Sequence, residues 1–195
     1  MPPLAYFIRH GQTDWNVEGR LQGQAETDLN EVGRRQADRN GARLAKLIAA
    51  PETFDFVASP MRRTRQTMER LRAAMGLDPQ AYRTDRCLIE MSFGDWQGST
   101  LAELEQRRPG CTAGRDADKW NFLPPGAGAE SYRMLADRVR PWFAALARPT
   151  VCVAHGGILR ALFFLTGSMT EAAAGVTSVP QDRILEFRDG RLTWL

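Results

Sequence analysis

Two short apolar runs in this chain each end on a histidine followed by glycine. LAYFIRHG closes on Arg9-His10-Gly11, and VCVAHGG closes on His155-Gly156-Gly157. The 195 residues contain no other histidine. An apolar run of four or five residues that stops on polar groups reads as a buried strand. Imidazoles placed just past strand ends sit where open α/β sheets build their sites.

The rest of the chain alternates in the same way. Leu4 to Ile8 reads as a first strand, and residues 10–28, rich in Gly, Asn, Gln and Asp, read as a long loop. Asn30 is placed to cap a helix that runs to about Ala50, where Pro51 ends it. Phe54 to Ala58 reads as a second strand. Ser59-Pro60 leads into a helix that Gly76 stops, with Ser59 as a candidate cap. Cys87 to Ile89 reads as a third strand with Glu90 after it. Thr100 and Glu103 form a capping box. Residues 107–129 contain seven Gly or Pro residues and read as irregular. Glu130 to Ala147 reads as a helix with Pro141 as its weak point, and Ser131 is a candidate cap. Val151 to Ala154 is a buried strand, and a helix spans Ile158 to Leu165. Val176–Val179 and Ile184–Phe187 read as strands, and Asp189-Gly190 turns the chain into Leu192–Leu195. Strands alternating with helices predict an α/β three-layer α/β/α sandwich with a mostly parallel central sheet. The length fits one domain over residues 1–195.

Charge narrows the function classes. Twenty-six basic residues against 23 acidic ones leave +3, spread along the chain. There is no basic stripe or RNA-type aromatic motif, so no nucleic-acid partner is expected. No apolar stretch is long enough for a membrane span. Three scattered cysteines, Cys87, Cys111 and Cys152, fit a reducing, cytoplasmic location, and Cys87 and Cys152 read as buried thiols. With so few histidines no metal pattern stands out, and neither metal nor cofactor is expected.

The candidate site residues follow strand ends: Arg9 and His10, Ser59 with Arg62 and Arg63 beyond it, His155, and Glu90 after Leu88-Ile89. Two histidines, two arginines and a glutamate suit a phosphate monoester. Arginines pair with its oxygens through charge-assisted bonds. A neutral imidazole can attack phosphorus, and a carboxylic acid can protonate the leaving oxygen. Arg62 and Arg65 read as surface charges, and Trp96 equally as a packing residue or a substrate wall.

Five ordered motifs make the chain resemble the histidine phosphatase superfamily, also called phosphoglycerate mutase-like. They are Arg9-His10-Gly11-Gln12-Thr13 with Asn16 and Leu21-Gln22-Gly23; Ser59-Pro60-Met61-Arg62-Arg63-Thr64-Arg65-Gln66-Thr67; Glu90 with Gly94-Asp95-Trp96-Gln97-Gly98; the Pro125–Ser131 segment; and His155-Gly156-Gly157 with Arg160. Gln12 and Gln97 stand where the family often has glutamate. The resemblance spans about Leu4 to Phe187. It implies a phosphoglycerate mutase-like fold and a catalytic set of His10, Glu90, His155, Arg9 and Arg63. His10 would become a phosphohistidine. Arg9, Arg63 and a cationic His155 would hold the phosphoryl oxygens, with Asn16, Gln22 and Gly23 also binding substrate. Glu90 would be the proton donor.

The family divides into hydrolases and mutases. The 99–129 segment is short for a mutase cap, which favours a metal-independent phosphomonoester hydrolase acting on a small phosphorylated metabolite, such as α-ribazole phosphate or a sugar or glycerate phosphate. Cofactor-dependent phosphoglycerate mutase transfer and an inactive phospho-ligand binder are the alternatives. A homodimer is a family-level expectation.

Overall fold

The computed structural model describes residues 3–195. Its centre is a six-stranded sheet in the order β3-β2-β4-β1-β5-β6. The strands are β1 (Ala5–Arg9), β2 (Asp55–Ala58), β3 (Arg83–Thr84), β4 (Thr150–Ala154), β5 (Ile184–Arg188) and β6 (Arg191–Trp194). β1, β4, β2 and β3 run parallel, while β5 and β6 join antiparallel at the far edge.

Period-two alternation divides the strand side chains between two cores. Tyr6, Ile8, Phe56, Ala58, Val151 and Val153 face one side. There they meet Leu44 of α2 (Glu31–Leu47) and Met68 and Leu71 of α3 (Arg62–Ala74). Ala5, Phe7, Val57, Cys152 and Ala154 face the other side. They pack against Leu135 and Val139 of α6 (Tyr132–Ala144) and Ile158 and Leu162 of α7 (Gly156–Leu165). Each of these fully buried aliphatic side chains contributes about 1.5–3 kcal/mol relative to an exposed one. The expected α/β/α layering is therefore present. Among the described residues no helix is long and apolar enough to cross a membrane.

Local signals set many of the boundaries. Asn30 caps α2 by accepting from the Gly33 amide, and Ser131 caps α6 by accepting from that of Met134. Thr100 and Glu103 close the capping box of α4 (Leu101–Arg107). Pro141 lies inside α6, and the helix continues for three more residues. A second capping box joins Thr13 and Asn16 around α1 (Asp14–Val17), a turn of helix inside the expected loop.

Cys87–Ile89 is not a strand. The Asp85 side chain accepts from the Cys87 amide and winds Arg86–Leu88 into a 3-10 turn. The third strand is Arg83–Thr84, two exposed residues that carry no apolar pattern to announce it. Cys87 is half-buried, not buried. Val176–Val179 is not a strand either. Thr170 caps α8 (Glu171–Val176), whose Glu-Ala-Ala-Ala start is a strong helix former. The β-branched residues after it run as irregular chain towards the sheet edge.

The 99–129 segment is tied down. Besides α4 it holds α5 (Ala113–Ala117) and Trp120. The Trp120 ring is 2% exposed and stacks on Tyr132 of α6 at 5.6 Å between centroids, with Phe164 of α7 at 5.0 Å. This anchor packs the segment against α6 and α7.

Candidate active site

Pairing of β1 with β4 puts Arg9 opposite Ala154, so both strands release the chain side by side. The His10 amide donates to the Ala154 carbonyl (2.9 Å), and the Ser59 amide to that of Val153 (3.0 Å). Three strand ends thus bring His10, His155 and Ser59 together at the carboxyl edge of the sheet, as their placement after apolar runs predicts. The two imidazole rings lie 5.3 Å apart, tilted by 60°.

The turn after β1 is held tightly. A methyl group on Gly11 would overlap the backbone of Gly33, so only glycine lets the loop close against α2. The Gly11 amide donates to Thr67 Oγ1 (3.0 Å), which donates in turn to the Arg63 carbonyl (2.7 Å). His10 Nδ1 lies 2.8 Å from the Gly11 carbonyl. A carbonyl only accepts, so the proton is on Nδ1 and Nε2 keeps its lone pair.

Both imidazoles are buried, His10 at 3% exposure and His155 at 0%. Burial, followed by the charge of Arg63, pushes both pKa values well below the usual 6.5, and Arg9 adds to this at each ring. Each ring is neutral near pH 7 in the free protein. A cationic His155, expected above from the family resemblance, is not the state that this burial and the nearby Arg63 favour. His155 Nε2 meets Ser59 Oγ at 2.8 Å. Ser59 is therefore a histidine partner and not the helix cap; Met61 occupies the cap position of α3 without a side-chain bond.

Arg63, on the first turn of α3, is fully buried. Its Nη2 donates to the Gly23 carbonyl (2.7 Å) and its Nη1 to that of Ala25 (2.8 Å). Arg9 Nη1 donates to the Val179 carbonyl (2.8 Å). Burial lowers both guanidinium pKa values to about 10, which leaves them charged at neutral pH. Arg9 Nε, Arg63 Nε and His155 Nδ1 are buried polar atoms without a partner. Leaving such groups unpaired costs about 1–3 kcal/mol each, so three in one place call for an external partner.

Glu90 follows the 3-10 turn rather than a strand. Its Oε1 accepts from the Met91 amide and its Oε2 from the Gly157 amide, both at 3.0 Å. Gly157 is essential to that approach, because a methyl group there would overlap Oε1. Gln22 is buried and accepts from Thr27 Oγ1 (2.8 Å). Gly23 offers its carbonyl to Arg63. Asn16 Oδ1 takes Thr13 and also Gln181 Nε2 (2.9 Å), and Gln181 Nε2 also reaches the His10 carbonyl (3.0 Å). Nothing in the sequence pattern marked Gln181, one of several polar residues in the loop before β5. Arg62 is exposed, as expected. Among the described residues no three His, Cys, Asp or Glu side chains cluster so as to hold a metal ion.

This sheet edge gathers two buried imidazoles, two fixed guanidiniums and three buried polar atoms that lack a partner. The chain belongs to the histidine phosphatase superfamily (branch 1), which it matches over residues 5–187, and it is an enzyme of that class. It is 37% identical to a glucosyl-3-phosphoglycerate phosphatase of Mycobacterium tuberculosis over 170 residues, covering 80% of this chain and 71% of the relative. It is 32% identical to a metal-independent phosphoserine phosphatase of Arabidopsis thaliana over 162 residues, covering 80% and 66%. The solved structure of a mycobacterial glucosyl-3-phosphoglycerate phosphatase superposes with a TM-score of 0.77 at 32% identity, covering 95% of this chain and 90% of that one.

Proposed function

We propose that this chain hydrolyses a small phosphomonoester in two steps through a phosphohistidine on His10, without a metal. One observation carries the reading. His10 Nδ1 is committed to the Gly11 carbonyl, which frees Nε2 as a nucleophile in a site with the unpaired Nε–H donors of Arg9 and Arg63 and the unpaired Nδ1 of His155, a donor when the Ser59 hydroxyl gives its proton to Nε2. A phosphoryl group has three non-bridging oxygens for those donors, and pre-set donors stabilise the charge of the transition state at low reorganisation cost.

In the first step the Nε2 lone pair forms the N–P bond, the P–O bond to the alcohol breaks, and Glu90 gives its proton to the leaving oxygen. In the second step Glu90, now a carboxylate, takes a proton from water while that water oxygen attacks phosphorus. The N–P bond breaks and its electron pair returns to Nε2. The neutral state of His10 suits it for attack. The bound phosphoryl dianion draws His155 towards the charged form. Residues 99–129 act as the cap over the site. The relatives that act on glucosyl-3-phosphoglycerate and phosphoserine support a small phosphorylated metabolite as substrate.

The test is phosphate release from a panel of phosphomonoesters in EDTA, for wild type and His10→Ala. Release by wild type that is lost in His10→Ala is the expected result. Absence of release from every substrate, or release that persists in His10→Ala, overturns the reading. Isomerisation of phosphoglycerate faster than its hydrolysis would assign the chain to the mutases instead.

A further inference from the structure

The chain between α8 and β5 is held at alternate carbonyls by side chains from three different elements. Arg160 Nε of α7 donates to the Thr177 carbonyl (3.0 Å), Arg9 Nη1 of β1 to that of Val179 (2.8 Å), and Asn40 Nδ2 of α2 to that of Gln181 (3.1 Å). Asn40 is buried, so its amide needs that carbonyl. The backbone at residue 181 is thereby fixed, and its half-buried side chain reaches back to the loop after β1.

Gln181 Nε2 carries two hydrogens and meets two acceptors, the His10 carbonyl (3.0 Å) and Asn16 Oδ1 (2.9 Å). Backbone groups fix both amide orientations. A carbonyl only accepts, so the Gln181 atom on His10 is the nitrogen. The Thr13 amide only donates and meets Asn16 at 3.1 Å, so that atom of Asn16 is the oxygen. Thr13 Oγ1 adds a third donor to the same oxygen (3.2 Å). Asn16 Oδ1 is fully occupied, while Asn16 Nδ2 makes no hydrogen bond among the described residues. The peptide after His10 is pinned on both sides as well. Gln181 holds its carbonyl, and Thr67 Oγ1 holds the Gly11 amide (3.0 Å).

We propose that Gln181 is a positioning residue, which holds Asn16 Oδ1 and thereby leaves Asn16 Nδ2 as a donor to the phosphoryl oxygens. The part given to Asn16 rests on the phosphate-site reading above. Without Gln181 the Asn16 amide loses one of the donors that fix its orientation. Rotation would then turn Oδ1, an acceptor, towards an anion. Arg9 is tied to the same segment through the Val179 carbonyl, so two groups of the phosphate site take their position from one stretch of backbone. Asn40 carries that position through from α2.

Binding of inorganic phosphate, measured by calorimetry, tests this apart from turnover. Asn16→Ala is expected to weaken binding about tenfold or more, the loss of a hydrogen bond to a charged group. Gln181→Met keeps the length of the side chain without its amide, and Gln181→Ala removes its bulk too. Both are expected to weaken binding by about 3- to 30-fold. In the Asn16→Ala background the same changes should alter binding by less than about twofold, because the group they orient is gone. Gln181→Met fills the original space, so it stays informative if Gln181→Ala lowers the thermal unfolding midpoint. Wild-type binding by Gln181→Met, or full losses that persist in the Asn16→Ala background, overturn the positioning role. Absence of phosphate binding by the wild type overturns it too. Phosphate release from phosphomonoesters, followed in parallel, separates the two readings. Hydrolysis with additive losses of binding removes only the role of Gln181. Coupled losses of binding without any hydrolysis remove only the hydrolase reading.

Discussion

Arg138 and Glu130 face each other through two parallel bonds, Nε to Oε1 and Nη2 to Oε2, each 2.9 Å. The same guanidinium donates to the Cys87 carbonyl (2.7 Å) and the Ile89 carbonyl (3.0 Å), and Glu130 bonds through its amide to Ser92 (2.9 Å). The pair grips the chain on both sides of Glu90, a residue that no strand holds in place.

Arg138→Gln should therefore act through Glu90. Loss of the grip frees two carbonyls and is expected to lower stability by about 1–3 kcal/mol. Hydrolysis of alkyl phosphates, whose leaving oxygen needs a proton, should fall more than tenfold. Hydrolysis of p-nitrophenyl phosphate, whose leaving group needs none, should fall much less. Steady-state kinetics across leaving groups checks this, and equal losses would show that Arg138 only supports the fold.

Gly157→Ala tests the approach of Glu90 from the other side. The added methyl group would overlap Glu90 Oε1 and lie 2.9 Å from Leu135 Cδ2. The carboxylate must leave the Gly157 amide, and kcat/KM for alkyl phosphates is expected to drop by about 10²- to 10³-fold. Circular dichroism should still show a folded protein. Kinetics close to wild type would mean that Glu90 is not the proton donor.

Arg63→Lys removes a planar fork. A lysine cannot hold the Gly23 and Ala25 carbonyls together while it presents a third donor to phosphate. We expect kcat/KM to fall by about 10²-fold or more and the 20–29 loop to become sensitive to limited proteolysis. Loss of activity with an unchanged cleavage pattern would separate phosphate binding from loop support.

The buried imidazoles predict a pH dependence of stability. Their native pKa values lie well below 6.5, so below 6.5 the unfolded chain binds more protons than the folded one. Stability is then full above about pH 6.5 and falls as pH drops from 6.5 towards the native values. Two such groups give a slope of at most about 2.7 kcal/mol per pH unit. Urea midpoints between pH 7.5 and 5 measure it. The slope should flatten in His10→Asn/His155→Asn, and a wild type with no slope in this window would show that the rings are not buried and neutral.

Much of this was legible in the chain itself because local rules are strong at strand ends and helix caps. The runs before His10 and His155 alternate between two cores, and Asn30, Ser131 and Thr100 cap where side-chain oxygens reach free amides. Other features depended on partners distant in sequence. Arg83–Thr84 is a strand only because β2 offers it an edge. Cys87–Ile89 looks apolar enough for a strand, yet Asp85 takes the amide that a ladder would need.

Residue types and their order determined the sheet, the two histidines at its edge and the arginines near them. Tertiary structure alone decided which nitrogen of His10 is free, that both rings are neutral, that Gln181 holds the His10 carbonyl and that Arg138 holds the chain around Glu90. Those properties arise from burial and from contacts between segments up to 171 residues apart, as between Gln181 and His10. Local sequence patterns do not encode such contacts.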